Sequence, residues 1–131
     1  MQQTFEVSGP VELELRLAAG DIQIDPSLEG RVEIELTAHD EESERLLQEA
    51  RVELQEHPDR AHVIVDVPRK RGGFNFGLVF GRSGITCRIR CPEGSLVDAR
   101  SKSADLVARG TIGGLNVQTA SGDVEVNRVL G

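Results

Sequence analysis

Tryptophan and tyrosine are absent from this 131-residue chain, and phenylalanine occurs four times. Aromatic platforms that stack on bases or sugars are therefore largely excluded. Cysteine occurs only twice, too few for a disulfide framework. No apolar run approaches the roughly 18 residues of a membrane-spanning helix. The opening Met1-Gln2-Gln3-Thr4-Phe5-Glu6 lacks the basic flank and apolar stretch of a secretory signal. The expectation from these absences is a cytoplasmic protein without a cofactor.

Bases are also scarce, with 15 against 22 acids and a net charge of -7. Residues 1–60 hold sixteen acids and five bases, a net of -11, which leaves +4 for residues 61–131. A nucleic-acid binder needs a basic field over its contact face, and this chain would repel a phosphate backbone except near its middle. Charge on the wet faces of strands accounts for the imbalance; head-to-tail association of unlike halves is the other reading. Apolar residues make up 38% of the chain, which is enough for a core, so one domain is expected over residues 1–131.

What is present is alternation. Val11-Glu12-Leu13-Glu14-Leu15-Arg16-Leu17 and Val32-Glu33-Ile34-Glu35-Leu36 are apolar at every second position, and Ile22 and Ile24 continue the pattern. A period of two sends one set of side chains to the core and the other to water. Gly9-Pro10, Ala19-Gly20-Asp21 and Glu29-Gly30 read as turns. Residues 40–50 break the pattern and predict a short helix, with Asp40 as N-cap, acids in the first turn, and Leu46, Leu47 and Ala50 as its buried stripe. Strands resume around Val52 and Leu54 and again at Val63, Val65 and Val67, with a hairpin loop between them that brings His57 and His62 together. Ile85, Cys87, Ile89 and Cys91 share one face of a later strand, and Thr86, Arg88 and Arg90 the other. Strands from residue 3 to 67 are expected to form a first sheet layer.

The last third matches itself at a shift of eighteen. Ser103–Ala108 falls on Ser121–Val126, Val97 on Leu115, Ala99 on Val117, Ser101 on Thr119, Ile112 on Leu130 and Gly113 on Gly131. Eighteen residues suit one coil of strand, turn, strand and turn. The expected fold is all-β: a strand-rich part over 1–92 that runs into a β-solenoid, right-handed and β-helix-like, over 93–131, with one short α-helix near 40–50. The match ends in register at Gly131, so the expectation is a fragment of a longer repeat protein or an end covered by a partner.

Phe5 in an opening strand, Gly20-Asp21-Ile22-Gln23-Ile24, Cys91-Pro92-Glu93-Gly94, Ser103-Ala104-Asp105 and Thr119-Ala120-Ser121-Gly122-Asp123-Val124 resemble a bacterial putative-adhesin domain of unknown function. The resemblance implies a strand-rich, right-handed coil with no established chemistry, in a family with some members at the cell envelope or in envelope-stress systems.

Candidate chemistry is sparse. Cys87 and Cys91 are about 13 Å apart on an extended strand, too far for a disulfide, and read as core thiols. His39, His57 and His62 lack the ligand set of a structural zinc site, so no metal is expected. Serines have no catalytic partner pattern, and the outward pairs Glu12/Glu14 and Glu33/Glu35 read as solvated acids. A solenoid-type carbohydrate enzyme would need Asp98, Asp105, Asp123 and Glu125 to converge. No catalytic residue is expected. The candidate interaction element is the Phe- and Gly-rich loop with Arg69, Lys70, Arg71, Phe74, Phe76, Phe80 and Arg82. The expected function is a non-enzymatic structural or protein-interaction module, self-associating or bound to a protein partner and not to nucleic acid. The alternative is an envelope-stress or sensing accessory that contacts a partner or a membrane through residues 69–82.

Overall fold

A computed structural model of the chain describes residues 1–17, 19–67, 84–101, 103–119 and 124–129, with backbone alone at 19, 103, 104 and 127–129. These residues form eleven strands and one helix. In chain order they are β1 (Gln2–Glu6), β2 (Glu12–Leu17), β3 (Ala19–Asp25), β4 (Arg31–Ala38), α1 (Glu41–Gln48), β5 (Arg51–Glu56) and β6 (Ala61–Val67). There follow β7 (Ile85–Arg90), β8 (Leu96–Ser101), β9 (Ser103–Ile112), β10 (Gly114–Thr119) and β11 (Val124–Val129). The fold is all-β with one short helix, as the alternation requires.

The strands make two mixed sheets. One runs β1-β4-β7-β3-β9-β11 and the other β10-β8-β2-β6-β5. Residues 2–67 do not form one layer, because β2 and β3 fall in different sheets and strands from both halves of the chain interleave. The basic β7 lies beside the acidic β4, with Arg90 opposite Glu33 and Arg88 opposite Glu35. The acids of the first half and the bases of the second thus meet on one sheet face.

The period of two becomes the core. Leu13, Leu15 and Leu17 of β2, Val32, Ile34 and Leu36 of β4, and Val63, Val65 and Val67 of β6 are all buried. They meet Ile22, Ile24, Ile85, Cys87, Ile89, Leu106 and Ala108 in a single apolar cluster between the sheets. Truncating one such leucine or isoleucine to alanine costs about 2–5 kcal/mol. The Ala19-Gly20-Asp21 segment is not a free turn. It opens β3, and Gly20 takes φ 140° there, a conformation glycine adopts without a Cβ clash.

Parallel pairing dominates the second half. β10 lies on β8 with Val97 opposite Leu115, Ala99 opposite Val117 and Ser101 opposite Thr119, an offset of eighteen residues. β11 lies on β9 with the same offset at Leu106–Val124 and Ala108–Val126. Past that point Thr111 faces Arg128 and Ile112 faces Val129, an offset of seventeen. The extra residue is taken up on β9, where Gly110 has φ 131° beside Pro26, a backbone conformation open to glycine.

Two polar devices fix the connections. Ser95 is fully buried; its hydroxyl donates to Pro92 O at 2.8 Å and accepts from Val11 N at 3.0 Å. Its carbonyl accepts from Gly113 N at 2.8 Å, so one residue ties three turns. Asp40 caps α1, its Oδ1 accepting from Ser43 N at 2.7 Å. Leu46, Leu47 and Ala50 are half-buried against the core, and the helix residue buried outright is Ser43. The cap packs on Gly84, whose carbonyl accepts from His39 N at 2.6 Å.

Ser95→Ala strands a buried donor and a buried acceptor, and urea denaturation should show a loss of about 1–3 kcal/mol. A methyl group on Gly84 would overlap the Asp40 carboxylate and the Ser43 hydroxyl, so Gly84→Ala should lower the melting temperature. Hydrogen bonds from Ser43 hold the Asp40 carboxyl below its ordinary value of 3.8. Its contribution is present above that value and lost as pH falls through the lower folded one, so the gap between Gly84→Ala and wild type should narrow in acid.

Candidate functional site

The loop singled out by composition, with Arg69, Lys70, Arg71, Phe74, Phe76, Phe80 and Arg82, lies outside the described residues. Its flanks are described. Val67 ends β6 in one sheet, and Gly84 sits against the helix cap before β7 enters the other.

The two cysteines are core thiols, both buried and free. Burial pushes the Cys87 thiol up to about 12. Burial also pushes the Cys91 thiol up, to about 11, and the nearby Asp25 carboxylate adds to the rise. Among the described residues no group of three or more His, Cys, Asp or Glu is placed to hold a metal ion.

The histidines do meet across the β5–β6 hairpin, with ring centroids of His57 and His62 5.8 Å apart. His62 Nε2 lies 3.3 Å from Glu14 Oε2, off line for a hydrogen bond, and Arg16 holds Glu14 Oε1 at 2.9 Å. These contacts lie on the outer face of the five-stranded sheet, with His62 Nε2 itself buried. Of the acids named in the last third, Asp98 lies on β8 in the five-stranded sheet, Asp105 and Glu125 lie on the adjacent β9 and β11 of the other sheet, and Asp123 lies outside the described residues.

A groove of about 330 Å³ lies on the outer face of the six-stranded sheet, lined by Gln23, Asp25, Arg88, Arg90, Val107 and Arg109. Arg88 and Arg90 alternate along β7 and so project on the same side. β3 runs between β7 and β9, with Gln23 opposite Arg88 and Asp25 opposite Arg90. Ile24 faces Ala108, which sets Asp25 level with Arg109. Long arginines thus wall the groove on two sides, and the shorter Gln23 and Asp25 make its floor. A smaller hollow of about 120 Å³ lies across β7, against Glu33 and Glu35. Sequence reasoning placed Arg88 and Arg90 outward but missed Arg109. The Arg-x-Arg step at strand period was the available signal; the adjacency of β7, β3 and β9 was not.

The fold has a solved counterpart. A putative cell adhesion protein from Clostridium sporogenes superposes with a TM-score of 0.68 over 96% of this chain, at 14% sequence identity. A putative adhesin and a putative lipid binding protein, both from Parabacteroides distasonis, align with TM-scores of 0.44 and 0.40 at 11% identity over 98% of the chain. The chain spans 60%, 57% and 67% of those three proteins respectively. No family model and no curated protein matches the sequence. At this identity the first likeness is one of fold. Among the described residues no helix is long and apolar enough to cross a membrane.

The buried thiols give a direct test. Cys87 and Cys91 should resist alkylation at pH 8 in the folded protein and react on unfolding, measured by mass spectrometry. Their folded values lie above the ordinary 9.0. The stability they contribute is therefore complete below pH 9 and lost as pH rises through about 11 to 12, so thermal stability should fall over that window.

Proposed function

We propose that this chain is a non-enzymatic interaction module whose strands wind between two sheets as a flattened coil and whose open end pairs with a further strand. Successive strands alternate between the sheets from β8 to β11, and the strands stacked on β8 and β9 follow at the eighteen-residue offset. This alternation and offset support the coil reading, in which each turn would shield the core of the one before it.

The observation that carries the reading is the end formed by β10 and β11. Leu106 and Ala108 of β9 are 1% and 0% exposed, whereas Val124, the partner of Leu106, is 42% exposed. Leu115, Val117 and Val126 are only partly buried. β10 and β11 are the outermost strands of their sheets among the described residues, so each offers a ladder edge beside half-covered core. Backbone pairing supplies affinity there, and the apolar residues supply the area. A fold shared with a protein named for cell adhesion is in keeping with a binding role.

The experiment is solution mass by light scattering on the intact chain and on Val124→Lys, an exposed position where the change leaves the core intact. The expected result is association of the intact chain that the lysine reduces. Equal monomer masses, with freely exchanging β11 amides, would remove this edge as the contact.

A further inference from the structure

We propose that the arginine groove across β7, β3 and β9 binds a compact dianionic oxyanion of the phosphate class. This goes beyond the edge-pairing reading and uses a different part of the molecule, the outer face of the six-stranded sheet and not its end.

The first support is how three other strand arginines are held. Arg16 has Glu14 at 2.9 Å, Arg31 has Glu33 at 3.7 Å, and Arg51 has Glu53 at 3.1 Å. Each pair joins positions two apart on one strand, so each cation is neutralised by its own element. β7 departs from this arrangement by placing Arg88 and Arg90 at the two alternating positions. Among the described residues no carboxylate lies within ion-pair distance of Arg88 or Arg109. Arg90 reaches only Glu33, at 3.9 Å, and Glu33 is shared with Arg31. Asp25, the one acid of the groove, has its Oδ1 engaged by the Ser27 hydroxyl at 2.6 Å.

Charge and shape then select the ligand. Three guanidinium groups and one carboxylate give the lining a net charge of +2 on a chain whose net charge is -7. A dianion cancels that charge; a single carboxylate leaves half of it. Neighbouring strands lie about 4.8 Å apart, so β7 and β9 stand roughly 10 Å apart across β3. Arginine side chains leaning in from both sides can then meet one tetrahedral group between them. Their planar donor forks match phosphate oxygens in pairs. The Gln23 amide adds a neutral donor from the floor, and Val107 offers an apolar contact to whatever carries the phosphate. Glu33 and Glu35 flank the far side of β7. They penalise an extended polyanion such as nucleic acid and favour an isolated group.

Free phosphate esters and lipid headgroups share this chemistry, and the test separates them. Inorganic phosphate is titrated by calorimetry at physiological chloride into wild type, Arg88→Gln, Arg109→Gln, the control Arg51→Gln on the other sheet, and Val124→Lys. In parallel, flotation measures binding to phosphatidylcholine vesicles with and without phosphatidic acid. All four substitutions are at exposed residues, and circular dichroism confirms folding. The expected result is phosphate binding that weakens about tenfold or more in each groove variant and is unchanged in Arg51→Gln and Val124→Lys. Capture by phosphatidic-acid vesicles that the groove variants lose assigns the group to a lipid; phosphate binding without vesicle capture assigns it to a soluble ester. Absence of both, or binding that Arg88→Gln and Arg109→Gln leave intact, overturns the proposal. Retained phosphate binding in Val124→Lys keeps the site apart from any failure of the edge-pairing reading.

Discussion

The molecule is organised around the placement of β2 and β3 in the interior of their sheets. β2 is paired on one side with β6 and on the other with β8; β3 is paired with β7 and β9. All four of these ladders are parallel, and parallel neighbours cannot be joined by a tight hairpin. The chain must therefore leave and return. The loops, the helix and the antiparallel strands β4 and β5 occupy those excursions. The apolar cluster follows from the same arrangement, because Leu13, Leu15, Ile22 and Ile24 acquire neighbours from both halves of the sequence.

Local features were legible in the sequence because local physics decides them. The helix at 41–48, its Asp40 cap, the hairpin at 51–67 and the inward row Ile85, Cys87, Ile89 and Cys91 each depend on residues within about a dozen positions. Pairing between distant segments was legible only where segments match one another, and Val97–Leu115 and Leu106–Val124 are opposed at the shift the sequence displays. No self-match links β7 to β3 or β8 to β2. Their adjacency comes from filling a shared core, and a groove built from residues 23, 25, 88, 90, 107 and 109 was hidden with it. Ala19-Gly20-Asp21 was misread for a related reason: a glycine in a turn and a glycine that starts a strand at φ 140° look the same in sequence.

The charge pattern changes meaning once the strands are placed. In sequence order the acids come early and the bases later. In space β7 is inserted between β4 and β3, so Glu33, Arg90 and Asp25 lie side by side, as do Glu35, Arg88 and Gln23. The outer face of the other sheet carries Glu12, Glu14, Glu53, Asp66 and Asp98 together with Arg16, Arg51 and Arg100. Both broad surfaces thus interleave acids with bases, and the strands behind both come from all parts of the chain.

The interior position of β2 also governs the order in which the fold can be completed. Leu13 is matched with Val97, eighty-four residues later. Until that later strand is in place, β2 is flanked by β6 alone and keeps an open ladder edge next to a row of leucines. Contacts of such long sequence separation form slowly, because a large loop must close before any pairing rewards it. During synthesis the N-terminal strands would wait, sticky and half covered, for the segment that closes them. The window of greatest vulnerability to aggregation therefore falls before residue 96 has emerged, and depends more on the speed of elongation than on the stability of the finished domain.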